Sequence, residues 1–194
     1  MSLAHSRKIL VKHPLRHAFE ELVLADNAYR RMAKIGPGDF SDYERAWREF
    51  LRHIERFWTK TRVAVKHSTG WGNIESEISH LRKTDPVLLY LRHARNADEH
   101  SIQELASDWD AKLKVDRVGA ELHISWQPWD RPLLPVRNRG VTYNPPRSHL
   151  GKSIEHLLGN RKAEPRVIAE LALAFYVGVF NRVSSEVVGA KRDA

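Results

Sequence analysis

Arg95-Asn96-Ala97-Asp98-Glu99-His100 brings a permanent cation, an amide and a proton carrier into one short stretch. An arginine stays charged at every physiological pH, and a histidine titrates near neutrality, so the pair suits phosphate chemistry. RNA cleavage without a metal needs a base for the ribose 2′-hydroxyl proton and an acid for the departing 5′-oxygen. It also needs a cation against the crowded phosphate charge. His100 has the chemistry for either proton transfer. Arg95 offers a fork that grips two phosphate oxygens. Asn96 can fix the histidine or hydrogen-bond the RNA.

The element that must hold these residues opens at Thr84-Asp85-Pro86. Asp85 can accept backbone N–H bonds there, and Pro86 suits the first helical position. Val87, Leu88, Leu91 and Ala94 mark its buried side, which Tyr90 and Ala97 extend. Arg92, Asn96 and His100 are spaced by one helical turn and share a face, with Arg95 and Glu99 beside it. Arg95 and His100 do not stack on an ideal helix. They converge where the helix ends, or where two copies face each other across a two-fold axis, which makes a homodimer the expected assembly. A purely structural reading stays open: Arg95 and Glu99 pair on a solvated face while His100 ends the helix favourably.

Arg95-Asn96 followed by His100 resembles the R-x-x-x-x-H motif, polar second residue included, of the HEPN (higher eukaryotes and prokaryotes nucleotide-binding) superfamily. The resemblance covers the motif, its place on a long internal helix and the helical frame. It does not clearly cover 105–148. It implies a compact helical bundle, often dimeric. Many members are metal-independent endoribonucleases of toxin–antitoxin, phage-defence or RNA-processing systems, and others are not catalytic. On that footing Arg95 and His100 are catalytic, Asn96 supports them, no cofactor is needed, and an antitoxin-like protein partner is possible. The alternative is a non-catalytic bundle that binds RNA, a nucleotide or a protein.

The frame predicted around the motif is mainly α: one domain over 1–194, a HEPN-like helical bundle with a small β-rich insertion at about 108–145. A first helix follows Pro14 and stops before Gly36-Pro37-Gly38. A second starts near Ser41 or Asp42, with Trp47, Phe50, Leu51, Ile54, Phe57, Trp58 and Val65 on one stripe. A short helix covers Ile74 to Arg82. Leu113 and Val115, then Leu122, Ile124 and Trp126, alternate with polar residues around Gly119 and predict a hairpin. Leu134 to Tyr143 predicts a second one. Ile154 to Leu158 suits a helical turn or two. Pro165 opens a last helix to about Val188, apolar nearly all round and read as a core helix rather than a membrane span.

With 32 Lys+Arg against 24 Asp+Glu, the net charge of +8 favours anionic partners, nucleic acid first. The excess is uneven: residues 1–66 carry 14 basic against 8 acidic residues, and 67–104 carry 4 against 6. The electrostatic footprint therefore comes mainly from the first two helices. Arg45, Arg48, Arg52 and Arg56 form a stripe able to track an RNA backbone, or a solvated face partnered by Glu44, Glu49 and Glu55. The absence of cysteine excludes disulfides, zinc–thiolate sites, iron–sulfur clusters and cysteine nucleophiles, and fits a cytoplasmic protein. Arg147, His149 and Lys152 are further possible phosphate contacts, at what reads as a helix start capped by Ser148. The spacing there is not that of a P-loop. Trp71, Trp126 and Trp129 are available to stack on bases or to pack the core. His13 and His17 lack a carboxylate at metal-ligand spacing, and His53 has no evident partner.

Overall fold

Leu15, Ala18, Leu22, Ala25 and Met32 recur every three or four positions and are buried along helix α1 (Arg16–Lys34). The same spacing puts Trp47, Phe50, Leu51, Ile54, Phe57 and Trp58 in the core along α2 (Phe40–Val65). The computed structural model describes residues 13–35, 40–100, 113–118, 121–126, 133–158 and 163–188. The fold is mainly α. Helices α3 (Trp71–Thr84) and α4 (Pro86–His100) follow, then strands β1 (Leu113–Val118), β2 (Glu121–Trp126), β3 (Val136–Asn138) and β4 (Val141–Tyr143). Strands β5 (Ser148–His149) and β6 (Lys152–Ser153), the single turn α5 (Glu155–Leu158) and α6 (Pro165–Val183) complete the order. A π-helical turn, Ser184–Val188, extends α6.

The six strands pair as three antiparallel hairpins, β1–β2, β3–β4 and β5–β6, each its own small sheet. The first two were expected from the sequence. Of the β-rich segment, the described stretch from 133 onward is anchored to the main core by two side chains. Leu133 and Val136 are buried in it, the Leu133 N–H donates to the Ala163 carbonyl at 2.8 Å, and the Tyr90 hydroxyl donates to the Leu134 carbonyl at 2.7 Å. The reason is α4: its buried Tyr90 needs an acceptor, and a short strand laid across the helix supplies one.

Helix α3 starts earlier than its periodicity suggests. Gly70, at φ +80°, takes a left-handed conformation and lets Trp71 open the helix. Trp71 packs against Trp58 at a ring separation of 5.9 Å, so it is a core residue, not a base-stacking one. Trp126 and Trp129 have side chains outside the described residues. Between α1 and α2 the carboxylate of buried Glu21 meets His53 at 2.6 Å and Lys60 at 2.5 Å. Burial opposes its ionisation, and the Lys60 and His53 bonds overcome that, holding Glu21 below the usual carboxylate range.

Helix α6 packs on α1, α2 and α4 through Ile168, Ala169, Ala172, Tyr176 and Val179. With the turn after it, α6 is long and apolar enough to cross a membrane by length and composition. Phe57 meets Tyr176 edge-on at 5.6 Å, which ties α6 to α2.

Candidate functional site

Asp85 does more than cap α4. Its carboxylate accepts the Leu88 N–H at 3.0 Å, as the cap geometry demands, and also the Leu150 N–H at 2.5 Å and His149 Nδ1 at 2.9 Å. Burial alone would raise its pKa. The His149 bond and the two backbone donors outweigh burial and hold the carboxyl below its ordinary value. The start of the motif helix is thus locked to the β5–β6 hairpin, whose turn places Leu150 at φ +49° and Gly151 at φ +74°.

That lock corrects one expectation. The segment around Ser148 is a hairpin, not a helix start, and the helical turn after it is too short to present an anion site. His149 is only 9% exposed and faces Asp85 and the Phe175 ring, while Arg147 and Lys152 are exposed. None of the three lines the cavity described next.

Nearly two turns into α4 its outward face meets the β3–β4 hairpin, and an open cavity of about 440 Å³ lies between them. Arg92 and Asn96 line it from the helix, and Asn138, Arg139 and Tyr143 line it from the hairpin. The volume falls within the range of small-ligand sites. Val141 and His93 complete the walls, and His93 is a residue that sequence reasoning passed over. Its ring stacks on Tyr143 at a centroid distance of 3.5 Å and an angle of 12°. Asn138 Nδ2 donates to its Nδ1 at 2.9 Å, leaving Nε2 to carry the proton of the neutral ring. Burial first, and the Arg92 charge second, hold its pKa below the ordinary histidine value. In this state His93 is a hydrogen-bond donor and a flat stacking surface, not a base.

Arg139 occupies a costly position for its type. It lies at φ +49° and Gly140 at φ +80°, the two left-handed positions of a tight hairpin turn that favours Asn-Gly. From that turn Arg139 lines the cavity.

The motif itself is partly resolved into geometry. Arg92 and Asn96 share the cavity, as their common helix face predicts. Arg95 is half-buried, and its Nη1 donates to Asn96 Oδ1 at 3.2 Å. It does not line the cavity. The α4 backbone runs to His100, but the side chains of Asp98, Glu99 and His100 lie outside the described residues. On the arginine stripe of α2, Arg45 pairs with Asp42 at 3.3 Å and Arg48 with Glu44 at 2.9 Å. Glu49 and Glu55 turn instead to Arg31 and Arg82 of neighbouring helices. Among the described residues no three His, Cys, Asp or Glu side chains gather as a metal-ligand group.

The stack makes a direct prediction. Replacing Tyr143 by alanine uncovers His93, so its pKa rises toward the ordinary histidine value, read by NMR titration of the ring protons. An unchanged titration would show that the Tyr143 ring does not set the burial. Comparison with family models, curated proteins and solved structures returns no match to this chain.

Proposed function

We propose that this protein is a metal-independent endoribonuclease of HEPN type that holds RNA in the cavity between α4 and the β3–β4 hairpin and acts as a homodimer. The observation that carries the reading is the company kept by the motif face: Arg92 and Asn96 line one open cavity with Arg139 and the His93–Tyr143 stack. Two guanidinium groups suit phosphate oxygens, and a flat aromatic stack suits an unpaired base. In the cleavage step His100 takes the 2′-hydroxyl proton as O2′ bonds to phosphorus. The bond from phosphorus to O5′ breaks, and the second His100 of the dimer protonates O5′. The products are a 2′,3′-cyclic phosphate and a 5′-hydroxyl, with no electron gained or lost. Arg95 offsets the phosphate charge and Asn96 orients the groups. A reducing cytoplasm, a toxin or phage-defence role and an antitoxin-like partner belong to the same reading.

RNA binding without cleavage is the second reading, and the bond from Arg95 to Asn96 favours it, since it ties the guanidinium to its own helix. Incubation of single-stranded RNA with the full chain in EDTA separates the two. Cleavage that leaves cyclic phosphate ends and is lost in His100→Ala supports the nuclease. Retained binding with no cleavage in the unaltered protein supports the binding module. Arg139→Asn is the fold-safe probe of the cavity: asparagine tolerates the left-handed turn, so Tm holds or rises slightly while RNA affinity falls. Unchanged affinity would remove Arg139 from the RNA site.

A further inference from the structure

Arg92 lines two cavities. Besides the one beside His93, it borders a second open cavity of about 260 Å³ between α2, α3 and α4. The second is too small for a whole ligand by the usual range of binding pockets, and its volume suits a compact group. Its walls carry Arg62, Arg82 and Lys83 as well as Arg92, against the single lining carboxylate of Glu55. Glu55 is already answered by Arg82, and Arg62 pairs with Glu75 at 2.5 Å. Lys83 and Arg92 have no ion-pair partner among the described residues. The balance on the walls is therefore positive and partly unspent.

Arg82 supplies an independent sign. It is only 7% exposed, its guanidinium lies 5.1 Å from the centre of the Trp58 ring, and its buried Nε has no hydrogen-bond partner. A buried N–H donor without a partner is costly, and such groups are normally met by protein, water or ligand. The hydroxyls of Thr59 and Ser79 stand in the same wall and add donors suited to phosphate oxygens.

We propose that the α2–α3–α4 cavity is a second phosphate subsite for single-stranded RNA, joined through Arg92 to the base-and-phosphate site beside His93. One nucleotide occupies the His93–Tyr143 cavity, and Arg92 holds the phosphate leading out of it. The next phosphate along the strand enters the cavity of Arg62, Arg82 and Lys83. The inference rests on the RNA-binding reading and adds a direction and a minimum length to it.

The test is binding of uncleavable 2′-O-methyl oligonucleotides, mononucleotide to hexanucleotide, by the full chain and by Lys83→Ala and Arg62→Ala. Both substitutions remove exposed side chains and leave buried Arg82 in place. Each should weaken the hexanucleotide about fivefold at ~0.1 M salt and lower its salt slope by about 0.7, the value of one single-strand phosphate contact. Mononucleotide affinity should not change. If Lys83→Ala and Arg62→Ala alter no length while Arg139→Asn weakens every length, the second subsite is overturned and the RNA site stands. If no oligonucleotide binds, both are overturned. Equal weakening at every length also overturns the subsite, since it would reflect general attraction by the basic surface.

Discussion

His100→Ala should lower RNA cleavage by about 10²- to 10⁴-fold, the range for loss of a positioned proton-transfer group. Arg95→Ala should cost about 10²- to 10³-fold, as removal of one donor to developing charge does. The two differ in a second readout. His100→Ala should change RNA affinity and its salt slope less than Arg95→Ala does, because guanidinium groups carry most of the phosphate binding. Arg95→Ala should lower both where the guanidinium reaches phosphate. The measurement is single-turnover cleavage of an end-labelled RNA in EDTA beside a binding titration with uncleavable RNA. Dimer action adds a sharper demand. Adding an excess of His100→Ala chains to the unaltered protein should lower activity more steeply than dilution does, because a mixed dimer holds one His100 where the step uses two. Full activity in either variant, with the fold intact by thermal unfolding, would end the nuclease reading and leave RNA binding.

The cavity explains why the motif was legible only in part. The spacing of Arg92, Asn96 and His100 fixes a helix face, and the structure uses the first two of those residues together. His93 was one of 11 histidines and had no spacing to single it out. Its partners Asn138 and Tyr143 arrive from a hairpin 45 or more positions along the chain, and nothing local in the helix announces them. The four long helices were visible because only a helix brings apolar residues three and four apart onto one face, turn after turn. The β5–β6 hairpin was invisible for the opposite reason. Its strands are two residues each, too short to show a period, and its turn places Leu150, not Asn or Gly, at the first left-handed position. Ser148 before a short apolar run then reads as a helix cap.

Asp85→Ala should destabilise the protein by about 3 to 5 kcal/mol. Loss of the α4 cap accounts for about 1 kcal/mol. The larger part comes from the Leu150 N–H and the buried His149 ring, both left without their carboxylate partner, with water able to meet part of the loss at the exposed Leu150. Each orphaned donor costs about 1 to 3 kcal/mol. Set against a total of roughly 5 to 15 kcal/mol for a domain, this is a large fraction. Urea denaturation checks it: the midpoint should fall sharply with an unchanged slope. Asp85→Asn separates capping from charge. Its carbonyl oxygen can still accept from Leu88, but its amide points a donor at the Leu150 donor, so the loss should be intermediate. The acid limb of stability gives an independent check. The folded-state pKa of Asp85 is depressed, so its contribution is complete above the unfolded value of about 3.9 and disappears as pH falls through the lower folded value. Between pH 5 and 2 the unaltered protein should therefore lose stability more steeply than Asp85→Asn. Parallel curves would mean the carboxylate is not held by charge-assisted bonds. The same bonds hold the first turn of α4 against β5 and β6, so a weakened Asp85 also loosens the helix that carries Arg92, His93 and Asn96. RNA affinity should fall in Asp85→Ala even below its unfolding temperature, because the cavity depends on where α4 begins.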